Sequence, residues 1–143
     1  MLGSYPVRSL SLEEGDVWPL GVGGVGLALL AAHDEAFVAR YIENYLPVIT
    51  RYSQTTAQSL HERIRRARAD GFASSERDVL PGVSALGVAI VHPLTGRPFG
   101  AISIAAISSR MEAERSREIV ALLQREARLI TDTLAGQSAR TEG

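Results

Sequence analysis

Two apolar segments joined by a polar turn, within residues 83–107, constrain the fold most strongly. The segments are rich in β-branched residues, and Pro93, Gly96 and Pro98 interrupt them where the chain must reverse direction. Residues branched at Cβ favour strands, and a short linker of Pro and Gly between two such runs favours a hairpin. We therefore predict a central antiparallel hairpin over residues 83–107.

Many residues of this hairpin are small for strands that fill a core. Small side chains leave room either for a closely packed helix or for a small molecule. Helix packing is the favoured interpretation from the sequence alone, because a binding site needs a second element to close it. The small residues are Ala85, Gly87, Ala89, Ala101, Ser103, Ala105 and Ala106.

A glycine-rich segment, residues 21–26, leads directly into a run of strong helix formers at residues 27–32. A helix that begins there presents free backbone N–H groups and the positive end of its dipole, which suits a carboxylate or a phosphate. The glycines also match the pattern of dinucleotide-binding folds, but they follow Trp18-Pro19 rather than a hydrophobic strand. A small-anion site and a structural turn therefore remain open, and a nucleotide site is disfavoured.

Helical patterns precede the hairpin. Asp34 is predicted to cap a second helix that Pro47 closes. Thr55 and Gln58 form a capping-box pattern ahead of a third helix, for which Gly71 supplies the C-terminal stop. A short strand over residues 72–74 then leads towards the hairpin.

A final helix follows the hairpin. Ser109 begins another capping-box pattern, and Gly136 is predicted to end the helix. We expect one domain over residues 1–136 and a disordered tail over residues 137–143. The element order predicts an α+β fold, with helices grouped on one side of a mostly antiparallel sheet.

Composition excludes several classes of protein. The chain has 143 residues, 45% of them hydrophobic, which suits one domain with a single core. It contains no cysteine, and its three histidines share no ligand spacing, so neither a disulfide framework nor a metal site is expected. No apolar run is long enough to span a membrane, and no signal peptide is visible. We expect a cytoplasmic protein without a cofactor.

The third predicted helix carries four arginines: Arg63, Arg65, Arg66 and Arg68. The formal net charge of the chain is only -1, and no aromatic residues are interspersed in that helix. A solvated helix face is therefore favoured over a nucleic-acid site. No nucleophile with a base, carboxylate pair or G-x-S-x-G elbow stands out, so we do not expect an enzyme.

Several motifs in a fixed order resemble a known family. They are PLGVGGVGLALLAA at residues 19–32, the segment L-x3-I-R-x3-A-D-G-F-A at residues 60–73, Pro-Gly-Val at residues 81–83, and the paired strands within residues 87–111. Over about residues 3–136 the chain resembles the effector-binding domain of IclR-type bacterial transcriptional regulators. The resemblance implies a GAF-like α+β domain with a small-molecule pocket on one face of its sheet.

The resemblance also implies which residues bind the effector. The family's carboxylate-binding backbone falls on Gly24 and Val25 at the helix start. Where the family's pocket has an acidic side chain, this sequence has the hydroxyl of Ser75. Where the family has a thiol and a hydroxyl, this sequence has the methyl groups of Ala85 and Ala105. Because buried unsatisfied carboxylate oxygens cost about 1–3 kcal/mol each, we expect a larger or more apolar effector, such as an aromatic acid. The expected effector-binding residues are Gly24, Val25, Gly26, Ser75, Ala85, Gly87, Ser103 and Ala105.

The family's regulators place a winged helix-turn-helix before this domain and assemble as homodimers or homotetramers. No such DNA-reading domain is expected in this sequence, and the first strands of the usual domain are expected to be missing. We therefore expect a fragment or a shortened relative of a regulator, which senses an effector but contacts DNA only through a domain outside this chain. The alternative is a ligand-free oligomerisation or interaction module.

Overall fold

The computed structural model describes residues 17–76, 83–107 and 113–141, and it confirms the central hairpin. Four helices and three strands lie within these residues. They are α1 (Gly23–Ala32), α2 (Glu35–Ile49), α3 (Ala57–Asp70), β1 (Ala73–Glu76), β2 (Val83–Val91), β3 (Pro98–Ile107) and α4 (Ala113–Thr141).

The three strands form one antiparallel sheet in the order β1-β2-β3. The turn between β2 and β3 is closed by hydrogen bonds from the His92 amide to the Arg97 carbonyl and from the Gly96 amide to the His92 carbonyl, at 2.8 and 2.9 Å. Gly96 has a φ of 69°, a left-handed conformation that glycine adopts without strain. The described elements have the predicted α+β composition.

The central strand β2 has one face of large residues and one face of small residues. Leu86, Val88 and Ile90 are buried against apolar residues of α4 such as Ile119 and Leu123. Because side chains alternate along a strand, the small residues between them point to the opposite face. Helix α1 packs on that opposite face. The prediction that the helices share one side of the sheet is therefore wrong, since α4 covers the other side.

Helix α1 approaches the sheet most closely at Gly24 and Gly87. A methyl carbon added to Gly87 would overlap the carbonyl oxygen of Gly24 and lie 2.6 Å from its carbonyl carbon. A methyl carbon added to Gly24 would lie 3.1 Å from Cβ of Ala85. Close helix packing is therefore confirmed as one role of the small hairpin residues.

A stack of rings lines α2. His33 stacks on Phe37 at 3.8 Å, Phe37 on Tyr41 at 5.9 Å and Tyr41 on Tyr45 at 4.6 Å between ring centroids. The Tyr41 hydroxyl accepts a hydrogen bond from the Leu20 amide at 2.8 Å. This bond ties α2 to the segment that enters α1.

Three predicted helix limits are wrong. Pro47 lies inside α2 and does not end it. A proline can be accommodated near the end of the helix because it removes only one helical hydrogen bond. The cap of α3 is Thr56, whose side chain accepts from the Ser59 amide at 3.1 Å, rather than Thr55. Helix α4 continues through Gly136 to Thr141.

Other predicted ends of helices and strands agree with the structure or differ from it by one or two residues. Asp34 caps α2 by accepting from the Phe37 amide at 2.7 Å, and Gly71 ends α3 with a φ of 80°, both as predicted. The short strand begins and ends later than predicted, at Ala73–Glu76. The cap at Ser109 and the arm before residue 17 lie outside the described residues. The division into a domain of residues 1–136 and a tail stays a prediction.

Arg68 joins the C-terminal end of α1 to α3. Its guanidinium donates to the carbonyl of Ala31 at 2.9 Å and to the carbonyl of His33 at 2.6 Å. It also lies 3.6 Å from the carboxylate of Glu35, whose side chain is 91% exposed. Carbonyls at a helix end have no partner within the helix, so this guanidinium satisfies groups that need an outside donor. Arg68 is exposed on the predicted solvated face and in addition has this structural role.

We expect Arg68→Met to lower the free energy of unfolding by about 1–2 kcal/mol, because two charge-assisted hydrogen bonds are lost while most of the apolar stem is kept. Urea unfolding measures this change. Glu35→Gln is the matched control and should cost less than about 0.5 kcal/mol, because an exposed ion pair contributes little. Equal losses in the two variants would contradict a capping role for Arg68.

Candidate functional site

The start of α1 has no side-chain cap among the described residues. Its N-cap residue, Val22, has no side chain that accepts a hydrogen bond, and the first turn carries no acidic residue. By contrast, Asp34 caps α2 and Thr56 caps α3. The first N–H groups of a helix have no partner within the helix, and the dipole makes this end positive. The α1 start therefore has the properties of an anion site.

A row of small residues crosses the sheet beside this helix start. Ser75 pairs with Ala85, and Ala85 pairs with Ala105, so the three residues lie side by side on the face that α1 covers. Ser103 pairs with Gly87, next along the same face. Ser75 is only 3% exposed, whereas Ser103 and Ala105 are exposed. The row thus runs from a buried hydroxyl to an accessible edge.

The structure separates the eight predicted site residues into two groups. Gly26 faces away from the row, because a methyl carbon there would meet the carbonyl oxygen of Pro19 at 3.1 Å. Gly87 is covered by the α1 backbone, and Val25 is 38% exposed in the first turn. The residues brought together at the helix start and the row are Gly24, Val25, Ser75, Ala85, Gly87, Ser103 and Ala105. Their role in binding stays a prediction.

The described titratable groups with shifted pKa values lie away from this row. Burial lowers the pKa of His33, an effect that the Asp34 carboxylate partly opposes. Burial likewise raises the pKa of Tyr41. Within the described residues no cluster of three or more metal-binding side chains occurs. The helix start and the row offer amide and hydroxyl groups, which suit binding rather than proton transfer.

A groove of about 410 Å³ lies elsewhere, along the polar side of α3 and beside β1. Arg63, Arg66 and Asp70 of α3 line it, together with Phe72 and Ser74. None of the eight predicted site residues lines it. The groove could not be predicted from the arginines of α3, whose pattern is equally that of a solvated face, because only the packing of α3 against β1 forms the concave surface.

Comparison with known proteins identifies the class of the chain. The family model for the bacterial transcriptional regulator IclR C-terminal domain matches residues 3–132. The fold and the match define the C-terminal domain of a bacterial transcriptional regulator. The chain belongs to the IclR family, a family of regulators rather than enzymes. No match was found among curated proteins.

Solved structures share the fold. A candidate IclR regulator from Silicibacter sp. TM1040 has 26% identity and a TM-score of 0.77, with 87% of this chain and 49% of that chain covered. The repressor BlcR of Agobacterium tumefaciens has 20% identity and a TM-score of 0.78, with 89% and 52% covered. The C-terminal domain of KdgR from E. coli has 24% identity and a TM-score of 0.72, with 81% and 71% covered.

The family model confirms the predicted family, and these structures confirm its GAF-like α+β fold. The chain spans about half the length of the first two relatives, at 49% and 52% of their chains. No described helix is both long and apolar enough to cross a membrane.

Proposed function

We propose that this chain is the effector-sensing part of an IclR-type transcriptional regulator and that it binds a small carboxylic acid, with aromatic acids preferred. The ligand's carboxylate lies at the start of α1, and its apolar part lies over the exposed Ala105, beside the Ala85 methyl that Gly24 covers. The buried Ser75 hydroxyl and the exposed Ser103 hydroxyl border this surface.

One observation carries the proposal: the uncapped start of α1 lies directly over the row of small residues. Gly24 is close enough to Ala85 that an added methyl carbon would lie 3.1 Å from the Ala85 methyl. Amide donors and a methyl-lined surface therefore adjoin each other. A ligand with one carboxylate and one apolar end matches both, because each buried carboxylate oxygen needs a donor whereas the ring needs only apolar contact.

We expect benzoate to raise the thermal unfolding temperature more than glyoxylate or pyruvate does. A ligand that binds only the folded state adds about 2.7 kcal/mol of stability when present at 100 times its dissociation constant. For a domain of this size that corresponds to a rise of about 5 °C or more. Differential scanning calorimetry over a concentration series of each acid measures the effect.

Benzamide is the matched control, because it keeps the ring and the carbonyl but lacks the negative charge. It should give little stabilisation if the helix dipole and amides select an anion. Stronger stabilisation by glyoxylate than by benzoate would contradict the apolar-effector proposal. Equal stabilisation by benzamide and benzoate would contradict an anion site at α1.

A second candidate is a ligand-free oligomerisation or interaction module. The contact between Gly24 and Gly87 favours it, because the structure uses at least part of the small-residue row for helix packing. No stabilisation by any acid in the series, combined with a stable dimer or tetramer in sedimentation analysis, would support this second candidate.

The regulatory consequence rests on the family's domain arrangement. Effector binding would alter how the hairpin and its flanking helices pack, and thereby the arrangement of subunits in a homodimer or homotetramer. DNA would then be contacted by the N-terminal winged helix-turn-helix of the family's regulators. The ligand can shift such an equilibrium only by its difference in affinity for the two arrangements. A cytoplasmic location follows from this role.

A further inference from the structure

The groove between α3 and β1 lies on a different side of the sheet from the proposed effector site. Ser74 pairs with Leu86, which is buried against α4, and Phe72 packs against the same apolar cluster. Ser75 and Ala85 of the proposed effector site lie on the face that α1 covers. A molecule in the groove would therefore leave the effector site open.

Helix α3 presents a polar stripe to this groove. Ser59, Arg63, Arg66 and Asp70 follow one another at spacings of three or four residues, so they lie on neighbouring turns of one helix face. The adjacent, apolar face of the helix carries Leu60, Ile64 and Ala67; Leu60 and Ile64 are almost fully buried, and Ala67 also borders the groove. The fixed inner face holds the polar stripe in position beside β1.

The charges and hydroxyls of the groove suit an oxyanion. Among the described lining side chains, Arg63 and Arg66 outweigh the carboxylate of Asp70, which leaves one net positive charge. Guanidinium groups bind phosphates and carboxylates with paired hydrogen bonds. Thr55 and Ser74 add hydroxyls at the groove wall. The Asp70 carboxylate can accept a hydrogen bond from a hydroxyl of the same ligand, which selects a hydroxylated anion.

We propose that this groove is a second binding site, for a small hydroxylated molecule that carries a phosphate or a carboxylate. The volume of about 410 Å³ is large enough for a three-carbon to six-carbon ligand of this kind. The site is separate from the effector site proposed above, so two ligands can occupy the domain together.

Three ligands with one carbon skeleton test the chemistry: glycerol, glycerate and glycerol 1-phosphate. Titration of the ¹⁵N-labelled 143-residue chain, followed by amide shifts in two-dimensional NMR spectra, locates binding. We expect saturable shifts at Phe72 and Ser74 with at least one of the two anions and none with glycerol. Shifts at Gly24 and Val25 would instead mark the effector site.

Arg66→Gln and Arg65→Gln form the matched pair. Both remove one exposed positive charge from α3, but only Arg66 lines the groove. We expect Arg66→Gln to weaken binding of the better anion by about tenfold or more and Arg65→Gln by less than about twofold. Binding of glycerol as tight as that of both anions, equal losses in the two variants, or no saturable shift at Phe72 and Ser74 would overturn the proposal.

Discussion

Gly87→Ala is expected to lower the free energy of unfolding by about 3 kcal/mol. The added methyl would overlap the carbonyl oxygen of Gly24 and lie 2.6 Å from its carbonyl carbon. These are backbone atoms of α1, so the clash cannot be relieved by a change of rotamer. The helix must move away from the sheet, and overpacking of this kind typically costs about 1–3 kcal/mol, occasionally more. Urea unfolding followed by circular dichroism measures the loss.

Gly100→Ala is the matched control, because it makes the same change in the neighbouring strand β3. Nothing lies within 4 Å of a methyl carbon at Gly100, and neither glycine has a positive φ. Alanine there should change stability by less than about 1 kcal/mol, and in the favourable direction if at all. If the Gly87→Ala variant is as stable as the Gly100→Ala variant, the close contact between Gly87 and the Gly24 backbone is contradicted.

The hairpin could be predicted from the sequence because its signals are local. β-Branched residues, a turn with Gly96 and the alternation of large and small residues all lie within residues 83–107. The same holds for Asp34 and Gly71, where a single residue type marks a helix end. The end of α4 could not be predicted, because whether a helix continues past Gly136 depends on how the rest of the helix is held by its apolar stripe.

The side of the sheet on which each helix packs could not be read from the sequence. The small residues of β2 fit α1 and the large ones fit α4, but pattern alone does not say which helix meets which face. The role of Arg68 was hidden for the same reason, since its partners Ala31 and His33 are more than thirty residues away. The same long-range packing creates the groove beside β1.

The proximity of the candidate effector residues could be predicted through the resemblance rather than through spacing, and their role in binding stays a prediction. The family's motifs placed Gly24, Ser75, Ala85 and Ala105 in one pocket, and the structure brings these residues to one face of the sheet. The buried position of Ser75 depends on neighbours that the sequence does not specify.

Val25→Pro tests the backbone donor at the start of α1 without removing a helical hydrogen bond. Val25 is the third residue of the helix, and N–H groups of the first turn have no acceptor within the helix. Proline is tolerated in the first turn for that reason. The preceding residue is Gly24, the residue type least restricted by a following proline. The variant should therefore fold, with urea unfolding as the check.

We expect Val25→Pro to weaken benzoate binding by about 10-fold to 100-fold, because a hydrogen bond to a charged group contributes about 1.5–3 kcal/mol and each 1.4 kcal/mol is tenfold in affinity. Val25→Ala is the matched control: it trims the same side chain, keeps the amide hydrogen and should bind benzoate within about threefold of the parent. Isothermal titration calorimetry measures both variants. If Val25→Pro binds benzoate as tightly as Val25→Ala does, the carboxylate is not held by this amide, and the α1 start is a structural turn rather than the anion site of a sensor.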